Sequence, residues 1–467
     1  MAAADGSPLV LVTGASGYIA THVIKQLQEE GYRVRGTVRS LQDENKVKHL
    51  HALCPEAQFK LELVEADLTK PESWEAAVKD VVYVIHIASP FPAAAPKDEN
   101  EVIQPAVEGT QNVFKACVDA KSVKRIVLTS SCAAVAWETA GTSKDKVNSE
   151  EDWSDVDKLD AYSKSKTLAE KAAWDFIKEL PDSDKIELAV INPSYVMGPV
   201  LSGSNCTSME IVKRLLERAM PAVPKLNFPV IDVRDVATAH VKAMTLDEAV
   251  GKRHLIVNSN VWMKEMAQIL AKEFKPQGHR HIISHENMYM REMALILKAE
   301  FESQGYSVPT MNCPYFALWL SSVFDKTLKL ILPQVGKIHR FDNTRMKEVL
   351  GIQPRDTKEM LLDMAYSLIE GGFVKKTKKY TGPGGAQPEE ETKTEEAKEG
   401  EKKDGENGDV KVKENGDVKE DQPEGEKEPE KTEEKEEKKE EEKKEEEKKE
   451  ENPTPAPATE GEEAKKE

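Results

Sequence analysis

Over the first 193 residues, short apolar runs rich in Val and Ile alternate with amphipathic stretches. That alternation admits few folds, because strands that read as continuous apolar runs and alternate with helices build a parallel sheet covered on both faces. The strand candidates are Leu9–Thr13, Arg33–Val38, Lys60–Ala66, Val81–Ile87, Arg125–Thr129 and Glu187–Ile191. Between the first two, Tyr18–Glu29 sets Ile19, Val23, Ile24 and Leu27 at helical spacing. The expected fold is α/β, a doubly wound parallel sheet of the Rossmann type over residues 1–193.

Past Pro193 the alternation fades, and Pro, Met and aromatic residues become common. The pattern predicts a smaller mixed α/β domain over 194–380 that completes a substrate cleft, with helices over Ser208–Ala219 and Met288–Glu302. Two pieces near 230–260, Val230–Ala243 and the strand Arg253–Asn258, are expected to return to the first domain.

From Thr381 to Glu467 the chain has no Phe, Trp, Tyr, Leu or Ile. Such a segment cannot bury enough apolar surface to offset its ordering entropy, which predicts a disordered or single-helix acidic tail. Residues 431–451 place Glu and Lys at i, i+4, a pattern that supports a solvated single helix, polar all round and with no face to pack. The tail carries 34 Asp+Glu against 18 Lys, so its net charge of −16 accounts for nearly all of the chain's −18. The near-neutral body gives no sign of a nucleic-acid surface.

Cys54, Cys117, Cys132, Cys206 and Cys313 are scattered and odd in number, and they show no metal-ligand spacing. They read as reduced thiols of a cytoplasmic protein without a metal. The start MAAADGSPLVLVTG lacks a basic region before a cleavable apolar stretch, and no apolar run reaches the length of a membrane span.

T-G-A-S-G-Y-I-A, Thr13–Ala20, lies between the first strand and the first helix. Gly14 permits a tight turn, and Gly17 lets backbone approach a pyrophosphate at the helix N-terminus, where free N–H groups and the dipole favour an anion. The candidate cofactor residues here are Thr13, Gly14, Ser16, Gly17, Tyr18 and Ile19. At the end of the second strand an NAD site needs an acid for the ribose 2′-hydroxyl, but this chain has T-V-R-S. Arg39, with Lys46 nearby, would pair with a 2′-phosphate and favours NADPH over NADH; the competing reading is a pair of solvated cations. Asp67 and Leu68 close the third strand, where Asp67 serves either the adenine amine or a helix N-cap.

Y-S-K-S-K sets Tyr162 and Lys166 at i and i+4, on one face of a helix. A phenol near pKa 10 exchanges protons slowly at neutral pH, and an adjacent ammonium is expected to lower that value. T-S-S at Thr129–Ser131 ends the fifth strand, where open α/β sheets gather ligands. Ser131 would donate to a substrate carbonyl oxygen, with Ser130 as the rival.

These residues resemble the extended short-chain dehydrogenase/reductase superfamily, in particular its dihydroflavonol, cinnamoyl-CoA and anthocyanidin reductase branch, which includes fungal methylglyoxal reductases. The resemblance runs over residues 8–373 through TGASGYIA, TVRS with NKVKHL, ADL, HIASPF, EGTQNV, LTSSCAAV, YSKSKTLAEKAAW, INPSYVMGP and FDNTRMKEVLG. It implies NADPH in the first-domain groove and Ser131, Tyr162 and Lys166 as catalytic residues. It further implies Ala88 along the cofactor and Pro193 and Val196 at the nicotinamide, with Asn112 either ordering a water behind Lys166 or serving only as a helix hydrogen-bonder. Ala136 stands where flavonoid reductases of this kind carry an Asn, which argues against a flavonoid.

The leading expectation is therefore an oxidoreductase that reduces a ketone or aldehyde with NADPH. Met288, Tyr289, Met290, Tyr315, Phe316 and Trp319 point to an apolar or aromatic small-molecule carbonyl substrate, or else to plain core. One alternative is a nucleotide-sugar epimerase or dehydratase on the same fold. Another is a reductase-like binding or matrix protein whose acidic tail attracts Ca²⁺ or a basic partner.

Overall fold

The strand β1, Leu9–Val12, is buried at every position and occupies the middle of a parallel sheet. A computed structural model describes residues 6–90, 96–137, 146–201, 207–219, 222, 224, 226–258, 288–323, 328 and 332–383. These lie in the first of two units into which the chain divides, Met1–Glu390; the second, Glu391–Glu467, lies outside the described residues, as does the expected tail from 384 onward.

From β1 the chain runs through helix α1, Tyr18–Glu29, to β2, Arg33–Val38, then through α2, Glu44–His51, to β3, Glu62–Glu65. It then passes α3, Trp74–Val78, and returns to the other side of β1 as β4, Tyr83–His86. Helix α4, Asn100–Ala120, leads to β5, Arg125–Thr129. After the two-residue strand β6, Val147–Asn148, helix α5, Ala161–Glu179, leads to β7, Glu187–Pro193. Farther along, β8, Tyr195–Met197, helix α6, Thr207–Leu216, β9, Asn227–Phe228, β10, Val230–Asp232, and helix α7, Val233–Thr245, precede β11, Arg253–Ile256. Strand order is β11-β7-β5-β4-β1-β2-β3, with every pair parallel.

The expected α/β doubly wound fold is thus present, and the reason is local. Both faces of the inner strands are covered, so β5 and all but the first residue of β7 are buried, and each buried Val, Leu or Ile contributes about 1.5–3 kcal/mol. Gly36 in β2 leaves the room that the turn after β1 needs: a Cβ there would stand 2.7 Å from the Ala15 Cβ. At the N-terminal ends of the strands, buried Arg125 ties β5 to Glu187 on β7 and to the Met244 and Leu246 carbonyls at the C-terminal end of α7. The opposite, C-terminal ends are left for chemistry, and the order reverses at β1, between β2 and β4.

Outside the sheet, β8 pairs with β10 in parallel. The helix expected over Met288–Glu302 opens instead as a strand, Met288–Tyr289, antiparallel to β9, before Met290–Phe301 turns helical. Its Met293, Ala294 and Leu297 join one apolar core with Met360, Leu361 and Met364 of the helix Thr357–Glu370. Met290 is buried, whereas Tyr315, Phe316 and Trp319 are 58%, 72% and 56% exposed and so are not core. The side chains of Met288 and Tyr289 lie outside the described residues. No helix among the described residues is long and apolar enough to cross a membrane.

Candidate active site

The turn after β1 is held from three strands. Buried Thr13 accepts at Oγ1 from the Ile87 and Ala88 N–H groups after β4, at 3.0 and 2.9 Å. With both acceptor positions used, its hydroxyl hydrogen goes to His86 Nδ1 at 2.8 Å, which leaves the imidazole proton on Nε2. The Gly14 N–H donates to Thr37 Oγ1 of β2 at 2.9 Å.

Gly14 adopts φ +69°, and a Cβ there would stand 3.2 Å from both Cα and Cβ of Ala88. The two loops at the switch point therefore touch, and only glycine fits between them. Gly17 is the exposed N-cap of α1 and makes no side-chain cap, with half-buried Ser16 beside it. This helix N-terminus presents backbone N–H groups to an anion, so a pyrophosphate fits the cradle.

Tyr18 and Ile19 form the first turn of α1 and point elsewhere. Tyr18 is buried and donates its hydroxyl to the Gly198 carbonyl at 2.8 Å, while Ile19 packs on the core. One turn on, His22 Nε2 bonds the Pro199 carbonyl at 2.8 Å and its ring meets that of Tyr18 edge to face. Helix α1 thereby clamps the loop that follows β8, the strand carrying buried Val196. Pro193, also buried, ends β7 opposite Ile256.

Arg39 is exposed immediately past the end of β2, and no acid occupies the position before or after it. Lys46 falls in the first turn of α2, and its side chain lies outside the described residues. Asp67 Oδ1 accepts from the Thr69 N–H and hydroxyl at 2.9 and 2.8 Å, and these bonds hold its carboxyl below the usual range, with Arg39 adding to the effect. That is a local turn; the short helical turn that follows has Lys70 at its N-cap. The Leu68 carbonyl accepts from Asn112 Nδ2 at 2.8 Å, so Asn112 fastens α4 to the loop after β3. Gly109 allows the approach, since a Cβ there would be 2.8 Å from Leu68 Cβ.

Ser131, Tyr162 and Lys166 come together at the C-terminal end of β5. Ser131 is hydrogen-bonded to Tyr162 and caps the following turn by accepting from the Ala133 N–H at 3.1 Å. Tyr162 is placed by Asp160, the N-cap of α5, whose Oδ1 accepts from the Tyr162 and Ser163 N–H groups at 3.0 Å each. Buried Lys166, one turn along α5, directs Nζ to the Thr129 carbonyl at 3.5 Å. Ser130, the rival hydroxyl, points away and donates to buried Glu170 at 2.6 Å.

The electrostatics correct one expectation. The Tyr162 phenol is not lowered by Lys166: burial pushes it well above its ordinary value, Cys132 and Asp160 add to the rise, and only the bond with Ser131 opposes it. Burial also lowers Lys166 to about 8, against the pull of Glu170. His86 falls to about 3, through burial first and Lys166 second, so Lys166 is the cation at the site at neutral pH. His240 is buried and lowered to about 4; its Nδ1–H donates to the Val236 carbonyl, and Nε2 accepts from Thr129 Oγ1 at 2.6 Å.

Sequence reading missed Thr37, Asp160, His22 and Glu170. Asp160 had a readable signal, an acid two residues before Tyr162 at a helix start. A Glu eight positions beyond Tyr162 looks like any solvated helical charge, and nothing in the pattern marks Glu170.

Residues 10–258 match the model of the NAD dependent epimerase/dehydratase family. A cinnamoyl-CoA reductase of Medicago truncatula is 38% identical over 274 residues, which covers 58% of this chain and 82% of the relative. The NADPH-dependent methylglyoxal reductase of Saccharomyces cerevisiae is 35% identical over 285 residues, 57% of this chain and 82% of the relative. The crystal structure of yeast methylglyoxal/isovaleraldehyde reductase complexed with NADPH superposes with a TM-score of 0.61 at 29% identity, covering 78% of this chain and 100% of that one.

Proposed function

Because this chain belongs to the NAD dependent epimerase/dehydratase family, we propose from its site that it reduces a ketone or aldehyde to the alcohol, with Tyr162 as proton donor. It is an NADP-dependent oxidoreductase and its cofactor is NADPH. The observation that carries the finer reading is the Ser131–Tyr162 hydrogen bond with the Lys166 cation one helical turn behind it.

When bound, NADPH supplies the hydride. The residues that would hold it are the backbone of Gly14, Ser16, Gly17, Tyr18 and Ile19 at the pyrophosphate, with Thr13 fixing the turn. Arg39 and Lys46 would take the 2′-phosphate, and Asp67 and Leu68 the adenine. Ala88, Pro193 and Val196 would line the path to the nicotinamide.

The chain's own chemistry lies in three side chains. Ser131 donates to the carbonyl oxygen, orients it and stabilises the charge that grows there. Tyr162 gives its hydroxyl proton to that oxygen, so the alcohol forms and the phenol is left as phenolate. Burial makes that phenolate costly, and the hydrogen bond with Ser131 offsets part of the cost as the charge develops. Lys166 would hold the nicotinamide ribose.

The test is to mix the purified full-length protein with NADPH and a panel of apolar aldehydes and ketones, following NADPH consumption and alcohol formation. Turnover with NADPH well above that with NADH is expected. Cofactor that co-purifies tightly, no net NADPH consumption, and indifference to the 2′-phosphate would favour an epimerase or dehydratase instead.

A further inference from the structure

Behind the three site residues lies a buried network that the reaction as written does not use. Glu170, on the same face of α5 as Tyr162 and Lys166, has no exposed side-chain surface. Its Oε2 accepts from Ser130 Oγ at 2.6 Å and from Asn192 Nδ2 at 2.8 Å, and its Oε1 from Arg253 Nε at 2.6 Å. Asn192 Nδ2 also reaches the Ser131 carbonyl at 3.2 Å.

Arg253, from the edge strand β11, is held on its far side by the Glu150 carbonyl at 3.0 Å and by the Asp152 and Ala134 carbonyls, with its guanidinium 3.8 Å from the Trp153 ring centroid. A buried ion pair built this carefully is expensive to desolvate and often no more stabilising than apolar packing. Its placement one turn behind Lys166 is the feature that calls for a reason.

We propose that Glu170 is a positioning residue for the reaction: its carboxylate, fixed by Ser130, Asn192 and Arg253, acts on Lys166 one helical turn away and holds it as the cation of the site. The proposal rests on the reductase reading. The groups that face Lys166 and Glu170 are His86 on β4, His240 through Thr129 on α7 and β5, Cys132 and Tyr162 at the site, and Arg253 and Glu150 beyond Glu170. His86 and His240 are neutral near pH 7, since burial holds both far below it. Glu170 lies one turn along α5 from Lys166, and its attraction opposes the burial that lowers the lysine to about 8. Removing that charge lets Lys166 lose its proton at lower pH.

The experiment compares wild type with Glu170→Gln, and with Glu170→Gln/Arg253→Met, which leaves no unpaired buried cation if the single variant folds poorly. kcat/KM is measured from pH 6 to 9, and NADPH affinity is measured by cofactor fluorescence in the same buffers. Both variants are expected to move the alkaline limb of both profiles toward acid by about one pH unit, with activity near pH 6 retained.

Folded variants whose limbs coincide with wild type, or that lose activity equally at every pH, overturn the proposal. A wild type that reduces no carbonyl overturns the reductase reading instead, and the pH dependence of NADPH binding still decides the role of Glu170.

Discussion

Tyr162 hydrogen-bonds Ser131, joining the first turn of α5 to the end of β5, while the neighbouring Ser130 donates to Glu170, two turns farther along the same helix. Adjacent serines therefore have separable duties. Ser131→Ala is expected to lower kcat about 10²-fold, the scale of losing one donor to a developing oxyanion, with the melting temperature unchanged. Ser130→Ala leaves buried Glu170 short of a donor and is expected to cost roughly 1–3 kcal/mol of stability by urea unfolding. The reverse assignment of the two effects would contradict the geometry.

Asp160 caps α5 with bonds to the Tyr162 and Ser163 N–H groups and to Ser163 Oγ. Asp160→Ala is expected to cost about 1 kcal/mol in a urea titration. Because the frayed turn is the one that carries Tyr162, kcat should fall with it. Asp160→Ser, which can still cap, should recover most of both.

The switch-point contact makes Gly14 sensitive for two reasons. Alanine there would have to keep φ +69° and meet Ala88 at 3.2 Å. A loss of about 1–3 kcal/mol is expected, together with weaker NADPH binding by fluorescence titration. At Arg39, replacement by Gln should weaken NADPH binding about 10–100-fold, the worth of a charged hydrogen bond, and leave NADH binding unchanged.

The fold was readable because strands containing Val, Leu and Ile alternate with amphipathic helices: the ranges read for β2, β5 and α1 are those observed. Edge and end residues were less readable. The strand expected over Lys60–Ala66 shrinks to Glu62–Glu65 at the sheet edge, where only one neighbour supplies hydrogen bonds. Within the site, the glycine turn and the Tyr162/Lys166 spacing are local signals. The distinction between Ser130 and Ser131 depends on Glu170, Asn192 and Arg253, which come from α5, β7 and β11 and have no joint pattern in sequence. The phenol shift was misread for a related reason, because spacing shows a neighbouring cation but not the depth at which both groups are buried.

Buried histidines set the acid limit. His22, His240, His254 and His339 are lowered to about 4, chiefly by burial, from 6.5. The unfolded chain binds their protons below about pH 6.5 while the folded chain does not, so stability rises with pH across roughly 4 to 6.5 and is lost as pH falls through that window. Each such histidine contributes about 1.4 kcal/mol per pH unit there. Urea midpoints measured at pH 7, 6 and 5 should fall steeply; a flat series would contradict the burial of these rings.

The most direct test of the reaction assigned to this site is Tyr162→Phe, which removes the transferable proton and keeps the ring. With a carbonyl substrate that wild type turns over, kcat is expected to fall at least about 10²-fold, the scale of general acid catalysis, while NADPH still binds. Equal turnover by wild type and Tyr162→Phe would contradict Tyr162 as the proton donor.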